Sequence, residues 1–141
     1  MVDVNRDREP GQRYRFDRNT KQLTFQYRAF DKLPRASLAP KKAISYKSAD
    51  GLVIPTYLTL PVGVEAKNLP LVVFPHGGPW ARDNWVYDPI AQLLANRGYA
   101  VLQPNFRSST GYGKKLLNAV NLQSGQLMQE DLTSDLRYTR L

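Results

Sequence analysis

The feature that most constrains the fold is an unbroken apolar run from Leu69 to Pro75, in which polar and apolar residues do not alternate. A half-exposed strand alternates between the two classes, whereas a strand buried on both faces gives a continuous apolar run of this length. Such strands are typical of parallel sheets that are covered by helices. The run therefore predicts an α/β fold.

The sequence after this run predicts a helix and a second buried strand. The predicted helix spans Asp88 to Arg97, with its apolar residues on one face and Pro89 in its first turn, where proline is tolerated. Gly98 is the residue expected to end the helix, and Tyr99 to Pro104 forms the next strand. Strand, helix and strand joined by short connections make a βαβ unit.

Antiparallel strands are predicted before the run. Residues 13–16 and 22–27 alternate on either side of a turn at residues 17–21, which predicts a β-hairpin. The first ten residues are polar and are expected to be loose. Residues 33–40 contain two prolines, which is typical of a linker.

A second antiparallel pair is predicted from residues 43–47 and 52–60, joined by a turn with the dipeptide Asp50-Gly51. Pro55 favours an edge position or a bulge for the second of these strands, because proline cannot donate a ladder hydrogen bond. Two further helices are predicted, at residues 114–120 and 128–141.

Composition excludes several classes of function. The chain has 141 residues, 42% of them hydrophobic, which suits one domain with an apolar core. The absence of cysteine excludes disulfides, thiolate metal sites and a cysteine nucleophile. His76 is the only histidine, which excludes a zinc site of several histidines. We expect neither a metal nor a cofactor.

Charge and hydropathy predict neither a nucleic acid nor a membrane as partner. The net charge is +8, and residues 1–50 carry 12 of the 20 Lys and Arg residues. These bases are scattered and mixed with acids, as on a solvated sheet surface. No stretch approaches the roughly 20 apolar residues of a membrane-spanning helix.

The first motif with chemical meaning is His76-Gly77-Gly78-Pro79, directly after the first buried strand. Ligands of open α/β sheets bind at the carboxyl ends of strands, and two glycines there allow a tight turn with outward N–H groups. Such groups stabilise the negative oxygen of an acyl-transfer intermediate. The alternative is a plain turn with a hydrogen-bonded histidine, but His-Gly-Gly-Pro-Trp after a buried strand favours the oxyanion role.

The second motif, residues 104–113, follows the second buried strand and is expected at the same end of the sheet. By itself it is typical of a solvated loop with two structural glycines. Together, the two motifs and the strand at residues 99–102 resemble the prolyl oligopeptidase family, most closely its branch of acylaminoacyl and dipeptidyl peptidases. The resemblance covers roughly residues 40–135, and the earlier hairpin is similar, more weakly, to the last propeller strands of that family.

This resemblance implies a partial α/β-hydrolase fold in residues 41–141, with a mostly parallel sheet and flanking helices. It implies that residues 1–40 are the end of a β-propeller and a linker. The activity implied is that of a serine peptidase that cleaves short peptides through an acyl-enzyme.

The site residues implied by the resemblance lie in the two motifs. Gly77 and Gly78 would supply oxyanion stabilisation, and His76 would belong to the oxyanion loop without being the triad base. Arg107 and Tyr112 of the second motif would contact the peptide substrate.

The chain departs from the family pattern at three points. Ser108 stands where the family usually has glycine, which costs on the order of 1 kcal/mol if the position needs a positive φ. No Gly-x-Ser-x-Gly motif occurs, and no second histidine could be the base. The order in this fold is Ser, Asp, His, so we expect the triad beyond Leu141 and the 141-residue chain alone to be inactive.

Two alternatives stay open. A lipase or esterase would usually carry His-Gly-Gly-Gly, where this chain has Pro79, and would lack the Arg-x-Ser-x-Gly-Tyr-Gly loop. A non-catalytic interaction domain on a hydrolase scaffold is the other, since a fold does not determine a function.

The strand at residues 69–75 should leave one apolar edge open beside the expected position of the nucleophile strand. Exposed, apolar strand edges pair with other chains, so we predict that the isolated 141-residue chain is poorly soluble or self-associates through this edge. Sedimentation velocity measures this directly, and a sharp monomer of high solubility would contradict the prediction.

Overall fold

The computed structural model describes residues 1–78, 80–121 and 125–134, and in this part the chain forms two β-sheets and three α-helices. The connection between the sheets, predicted as a linker, contains a short 3-10 helix at Arg35–Ser37. Among the described residues, no helix has the length and apolar character needed to cross a membrane.

The first sheet has three antiparallel strands in sequence order: β1 (Val2–Arg6), β2 (Glu9–Phe16) and β3 (Leu23–Arg28). The predicted hairpin is β2 and β3. The prediction of a loose N-terminal segment was wrong, because β1 pairs with β2 along its length. Asp3 of β1 also forms an ion pair with Arg13 of β2, so pairing with a neighbour outweighs the polar composition of β1.

The second sheet has four strands, β4 (Lys41–Lys47), β5 (Val53–Thr59), β6 (Leu71–Val73) and β7 (Ala100–Pro104), in the order β4-β5-β7-β6. Only β6 and β7 are parallel, while β4–β5 and β5–β7 are antiparallel. The expectation of a mostly parallel sheet was therefore wrong for the described residues. The short turn between β4 and β5 can join only antiparallel neighbours.

The predicted βαβ unit is confirmed. Helix α1 (Pro89–Ala95) connects β6 to its parallel neighbour β7 and packs against β7 and β5. The Asp88 carboxylate caps α1 by accepting two backbone N–H groups of the first turn, and Gly98 follows the helix with a φ of +89°. β6 is shorter than the apolar run, which has prolines at positions 70 and 75 that cannot donate ladder hydrogen bonds.

Pro55 does not mark an edge or a bulge, contrary to the sequence-based prediction. It lies on β5 between β4 and β7, opposite Ser45 in a regular register. Its carbonyl accepts the N–H of Asn105 just beyond β7. Since the N–H and C=O of one strand residue point the same way, the missing donor of Pro55 faces the end of β7, where little pairing is lost.

Two further helices, α2 (Lys114–Asn118) and α3 (Leu127–Ser134), follow β7 along the chain. The part of the last predicted helix at residues 135–141 lies outside the described residues. The largest apolar contributions to the core come from the two central strands, β5 and β7. The buried apolar side chains of the second sheet, its helices and the segments that follow β7 and α2 are Ile54, Leu58, Ala91, Ala95, Ala100, Val101, Leu102, Phe106, Leu116 and Val120.

The two sheets are joined by a buried set of hydrogen bonds. The side-chain amide of Gln92 on α1 donates to and accepts from the backbone of Ala39, each at 2.8 Å. The Asp7 carboxylate, in the turn between β1 and β2, accepts the N–H of Lys41 at 2.9 Å. The start of β4 is thus held against the first sheet and α1 together.

Candidate active site

Two loops lie side by side at one edge of the second sheet. The first loop, residues 74–88, follows β6, and the second loop, residues 105–113, follows β7. Because β6 and β7 are parallel, their carboxyl ends meet at the same edge. The two motifs predicted from the sequence are therefore brought together, although Pro79 of the first motif lies outside the described residues.

The side chain of His76 connects the first loop to the second. Its ring stacks on Phe106 with 4.5 Å between ring centroids and 15° between planes. Its Nε2 atom lies 2.8 Å from the Oγ of Ser109. The stacking fixes the plane of the ring and the hydrogen bond fixes its rotation, so the loop backbone that follows is held in place.

His76 and Ser109 do not have the geometry of a nucleophile and its base. Ser109 is 0% exposed, so its hydroxyl cannot reach a substrate carbonyl. The Nδ1 atom of His76 lies 3.3 Å from the carbonyl oxygen of Gly77, whereas a triad histidine is oriented by a buried carboxylate. The pair is a structural link between the two loops.

Gly77 and Gly78 present their backbone to solvent. Both are exposed, and a Cβ atom at either position would meet nothing within 4 Å. Gly78 has a φ of +66°, a conformation that favours glycine. In the described part of the chain, neither N–H donates to a protein acceptor. Exposed N–H groups on a fixed turn can receive a developing negative charge.

Further hydrogen bonds join the two loops beyond His76. The N–H of Thr110 donates to the carbonyl of Ala81 at 3.0 Å, and the N–H of Asp83 donates to the Oδ1 of Asn105 at 2.8 Å. The Nδ2 of Asn105 donates to the phenol oxygen of Tyr112 at 2.9 Å. Buried Asn105 therefore bridges the first loop and the far side of the second loop.

Tyr112 offers a neutral hydroxyl at this edge. Burial, together with a hydrogen bond to the Tyr57 side chain, raises the pKa of Tyr112 to about 12. The phenol is half-buried and stays protonated at neutral pH. The phenol is already hydrogen-bonded to Asn105 and Tyr57 and cannot serve as a base at neutral pH, and its contact with substrate stays a prediction.

Arg107 is buried and forms a bidentate ion pair with Asp131 of α3. Its Nε and Nη2 atoms donate to the two carboxylate oxygens at 2.8 and 2.7 Å. Its backbone N–H donates to the same carboxylate at 3.0 Å. The hydrogen bond to Asp131 raises the pKa of Arg107 further above its already high usual value. The second loop is thereby held against α3.

This ion pair extends into the turn between β4 and β5. The Ser48 hydroxyl donates to the Asp131 carboxylate and the Tyr46 phenol donates to the Asp131 carbonyl, both at 2.6 Å. The Asp50 carboxylate lies 3.1 Å from Nη2 of Arg107. The hydrogen bonds of the Arg107 guanidinium in the described residues all go to protein groups, and its contact with substrate stays a prediction.

Ser108 has the backbone conformation that favours glycine. Its φ is +83°, and its side chain is fully buried. This conformation costs a non-glycine residue about 1 kcal/mol or somewhat more. The surrounding contacts offset the strain, since the N–H of Ser108 donates to the Leu116 carbonyl at 2.9 Å and the neighbouring Arg107 is anchored to α3.

A buried polar cluster under the first loop escaped the sequence analysis. Lys41 is 5% exposed, and its Nζ donates to the carbonyl of Asn84 at 3.1 Å. Burial lowers the pKa of Lys41 and raises the pKa of Asp83. No local pattern identifies Lys41 as buried, because the next four residues of β4 are all exposed and burial does not alternate along the strand. Within the described residues, no three His, Cys, Asp or Glu side chains converge as metal ligands.

Sequence comparison points to one peptidase family. Residues 85–140 match the profile of the prolyl oligopeptidase family. The chain is 42% identical over 132 residues to dipeptidyl aminopeptidase BIII of Pseudoxanthomonas mexicana, a match covering 89% of this chain and 19% of that protein. The chain spans about a fifth of the length of the curated relatives it matches.

Structural comparison agrees with the sequence. A puromycin-hydrolysing peptidase of Mycobacterium tuberculosis has a TM-score of 0.83 and 27% identity, over 96% of this chain and 22% of its own. The acylaminoacyl peptidase of Pyrococcus horikoshii shares the fold, with a TM-score of 0.71 and 24% identity over 96% of this chain and 22% of its own. The α/β-hydrolase character of the fold is confirmed in this coarse sense, with mixed sheets and few helices, while the propeller origin of the first sheet stays a prediction.

We predict that Arg107→Met destabilises the protein by about 3–5 kcal/mol, because it leaves the Asp131 carboxylate buried without its partner. Urea unfolding measures the change. Arg13→Met is the matched control, since the Arg13–Asp3 pair has a similar hydrogen-bonded geometry but is exposed, and it should change stability little. Equal losses in the two variants would contradict the importance of burial.

We predict that Asp83→Asn raises the thermal midpoint at pH 7 and not at a pH well below 3.8. Burial raises the pKa of Asp83 above its ordinary 3.8, so ionisation costs the folded state stability as pH rises through that raised pKa. The neutral amide avoids this cost and can still accept the hydrogen bond from Gln103. Asp3→Asn should show the opposite pH dependence, because a hydrogen bond from Arg13 lowers the pKa of Asp3.

Proposed function

We propose that the chain forms the oxyanion side of a serine peptidase of the prolyl oligopeptidase family that hydrolyses short peptides, since residues 85–140 match the profile of that family. The observation that carries this proposal is the pair of exposed glycines, Gly77 and Gly78, at the carboxyl end of β6, whose N–H groups donate to no acceptor in the described part of the chain. The likeness to a dipeptidyl aminopeptidase supports the peptidase class.

In this mechanism a serine hydroxyl from outside these 141 residues attacks the carbonyl carbon of the scissile peptide bond. Its proton passes to the triad histidine, and the carbonyl oxygen becomes an oxyanion that the N–H groups of Gly77 and Gly78 stabilise. When the intermediate collapses, the leaving amine takes that proton and an acyl-enzyme remains. Water then hydrolyses the acyl-enzyme by the same steps.

In this proposal, the contacts of His76 hold the N–H donors of Gly77 and Gly78 in place before the reaction. Oxyanion donors lower a barrier only when they are already aimed at the developing charge, because reorganisation during the reaction would cancel the gain. His76 is held by Phe106 and buried Ser109, and its backbone leads directly into Gly77. In this proposal His76 positions the donors and takes no part in proton transfer.

The proposal gives Arg107 and Tyr112 different roles, with Tyr112 next to the bound peptide and Arg107 beneath the second loop. Tyr112 has a half-buried neutral phenol that could hydrogen-bond a peptide group. Arg107 is 2% exposed and shapes the second loop from beneath through Asp131. We assign Tyr112 to the edge of the substrate site, and we assign Arg107 the structural role of holding the second loop in place.

We also assign residues 1–40 to the end of a β-propeller and a linker, and residues 41–141 to the front of the peptidase domain. The similarity to the puromycin-hydrolysing peptidase covers 96% of the chain and so extends into the first sheet. That sheet exposes several large apolar side chains, as expected of a propeller blade that packs on a neighbour. They are Phe16, Leu23, Phe25 and Tyr27.

The proposal is tested with the protein expressed from its complete gene. We expect it to react with a fluorophosphonate, which labels activated serines, and to release the chromophore from dipeptide anilides. Labelling with hydrolysis of esters but not of anilides would favour an esterase. Absence of both labelling and hydrolysis would favour the non-catalytic interaction domain.

We predict that Gly78→Ala in the same protein lowers kcat/KM on the order of 100-fold, because the added Cβ disfavours the φ of +66° and moves an oxyanion donor. Gly63→Ala is the matched control. Gly63 has a φ of +74°, and a Cβ added there would meet nothing within 4 Å, but it lies in the loop before β6, at the opposite end of that strand.

The two variants should lose similar thermal stability, since the backbone strain is alike, and only Gly78→Ala should lose activity. Activity is measured with a dipeptide anilide, and stability by differential scanning calorimetry. Equal activity losses would show that strain alone explains the effect and would remove Gly78 from the oxyanion site.

A further inference from the structure

We infer that Arg82 binds a carboxylate of the peptide substrate beside the oxyanion loop, which makes it a specificity-determining residue. This inference rests on the proposed peptidase function. The ligand chemistry is a carboxylate on a short peptide, either an acidic side chain or the C-terminal group. Neither motif of the sequence analysis includes Arg82, which follows the first motif by a few residues.

The backbone on both sides of Arg82 is fixed to the second loop. The carbonyl of Ala81 accepts the N–H of Thr110 at 3.0 Å, and the N–H of Asp83 donates to Asn105 at 2.8 Å. Residue 82 is therefore held from both neighbours, in the same loop as Gly77 and Gly78. Its side chain begins from a defined point at the edge where the candidate oxyanion donors lie.

The guanidinium of Arg82 is oriented by two contacts. Its Nε donates to the Oδ1 of Asn84 at 2.9 Å. Its head group lies across Gly111 of the second loop, so closely that a Cβ there would be 3.1 Å from Cζ and would overlap Nη1. The missing side chain of Gly111 is what makes room for the guanidinium. An arginine fixed at Nε keeps its two Nη groups for a partner.

Those Nη groups face no carboxylate in the described part of the chain. The Arg82 side chain is exposed, and no ion pair joins it to a described Asp or Glu. The nearest acid in sequence, Asp83, accepts a hydrogen bond from Gln103 beneath the loop. Buried Arg107, by contrast, is paired with Asp131 and Asp50.

The two Nη groups of Arg82 are suited to bind a carboxylate. A guanidinium offers parallel N–H donors that match the two oxygens of a carboxylate, and such charge-assisted pairs are stronger than neutral hydrogen bonds. Next to Arg82, the phenol of Tyr112 is neutral at neutral pH and does not repel an anion. A negatively charged peptide group therefore finds one oriented cation at this position.

The test uses the protein from its complete gene and two pairs of matched substrates. One pair differs by Glu against Gln in the peptide, and the other by a free C-terminal carboxylate against its amide. We expect the wild type to prefer one carboxylate substrate, and Arg82→Gln to reduce that preference in kcat/KM by about tenfold. The pair that responds identifies the source of the carboxylate.

Two further variants separate charge from fold. Arg82→Lys keeps the charge without the planar fork and should recover part of the preference. Arg97→Gln removes another exposed arginine, which follows α1 and donates to the Leu93 carbonyl, and it should leave the preference unchanged. Equal loss for the charged and neutral substrates in Arg82→Gln would overturn the inference, as would the absence of any preference in the wild type.

Failure of the proposed peptidase function is detected separately. If the wild type hydrolyses none of these peptides, calorimetric titration with the Glu and Gln peptides measures binding alone. Tighter binding of the Glu peptide that is lost in Arg82→Gln would support the carboxylate site without the peptidase. The same titration is made with the free C-terminal carboxylate and its amide, and equal binding within both pairs by the wild type would overturn the site as well.

Discussion

The buried ion pair between Arg107 and Asp131 is the interaction on which the rest of the candidate site depends. It joins three segments that are distant in sequence: the second loop, α3 and, through Ser48 and Tyr46, the turn between β4 and β5. An isolated charge in such a place costs several kcal/mol. Removing any one of the three segments would therefore leave a buried charge or hydrogen-bonding group without its partner.

In the two loops above this ion pair, side chains hold the loops together and backbone groups are exposed. Between the loops, His76 is hydrogen-bonded to buried Ser109, and buried Asn105 accepts the N–H of Asp83 and donates to the phenol of Tyr112. At the surface, the exposed residues of the first loop include Gly77 and Gly78, which present backbone groups, and Arg82, which presents a side chain. A flexible side-chain donor would have to be ordered during the reaction, whereas a backbone N–H on an anchored turn is ordered beforehand.

Part of this arrangement was predictable because it depends on local pattern. The continuous apolar run predicted the parallel β6–β7 pair, and the apolar spacing predicted α1, although the helix ends at Ala95, before the predicted end at Arg97. Other elements depended on neighbours that no local pattern identifies. β1 is a strand because β2 lies beside it, and Pro55 sits inside the sheet because its missing donor faces the end of β7. The hydrogen-bond partner of His76 was also not predictable from local pattern, because Ser109, 2.8 Å away in the structure, is distant in sequence.

By itself, the sequence determined the parallel strand pair, the βαβ unit and the positions of the glycines at the loop, because hydrophobic periodicity and φ preference act within a few residues. The predicted burial on both faces was right for β7 but wrong for β6, which is a half-buried strand at the edge of the described sheet. The tertiary structure alone decided which charges are buried. Arg107 and Arg82 are both arginines in loops after strands, yet one is enclosed with Asp131 and the other is exposed over Gly111. That difference follows from which segments pack above each side chain, and packing between distant segments is fixed only when the whole fold forms.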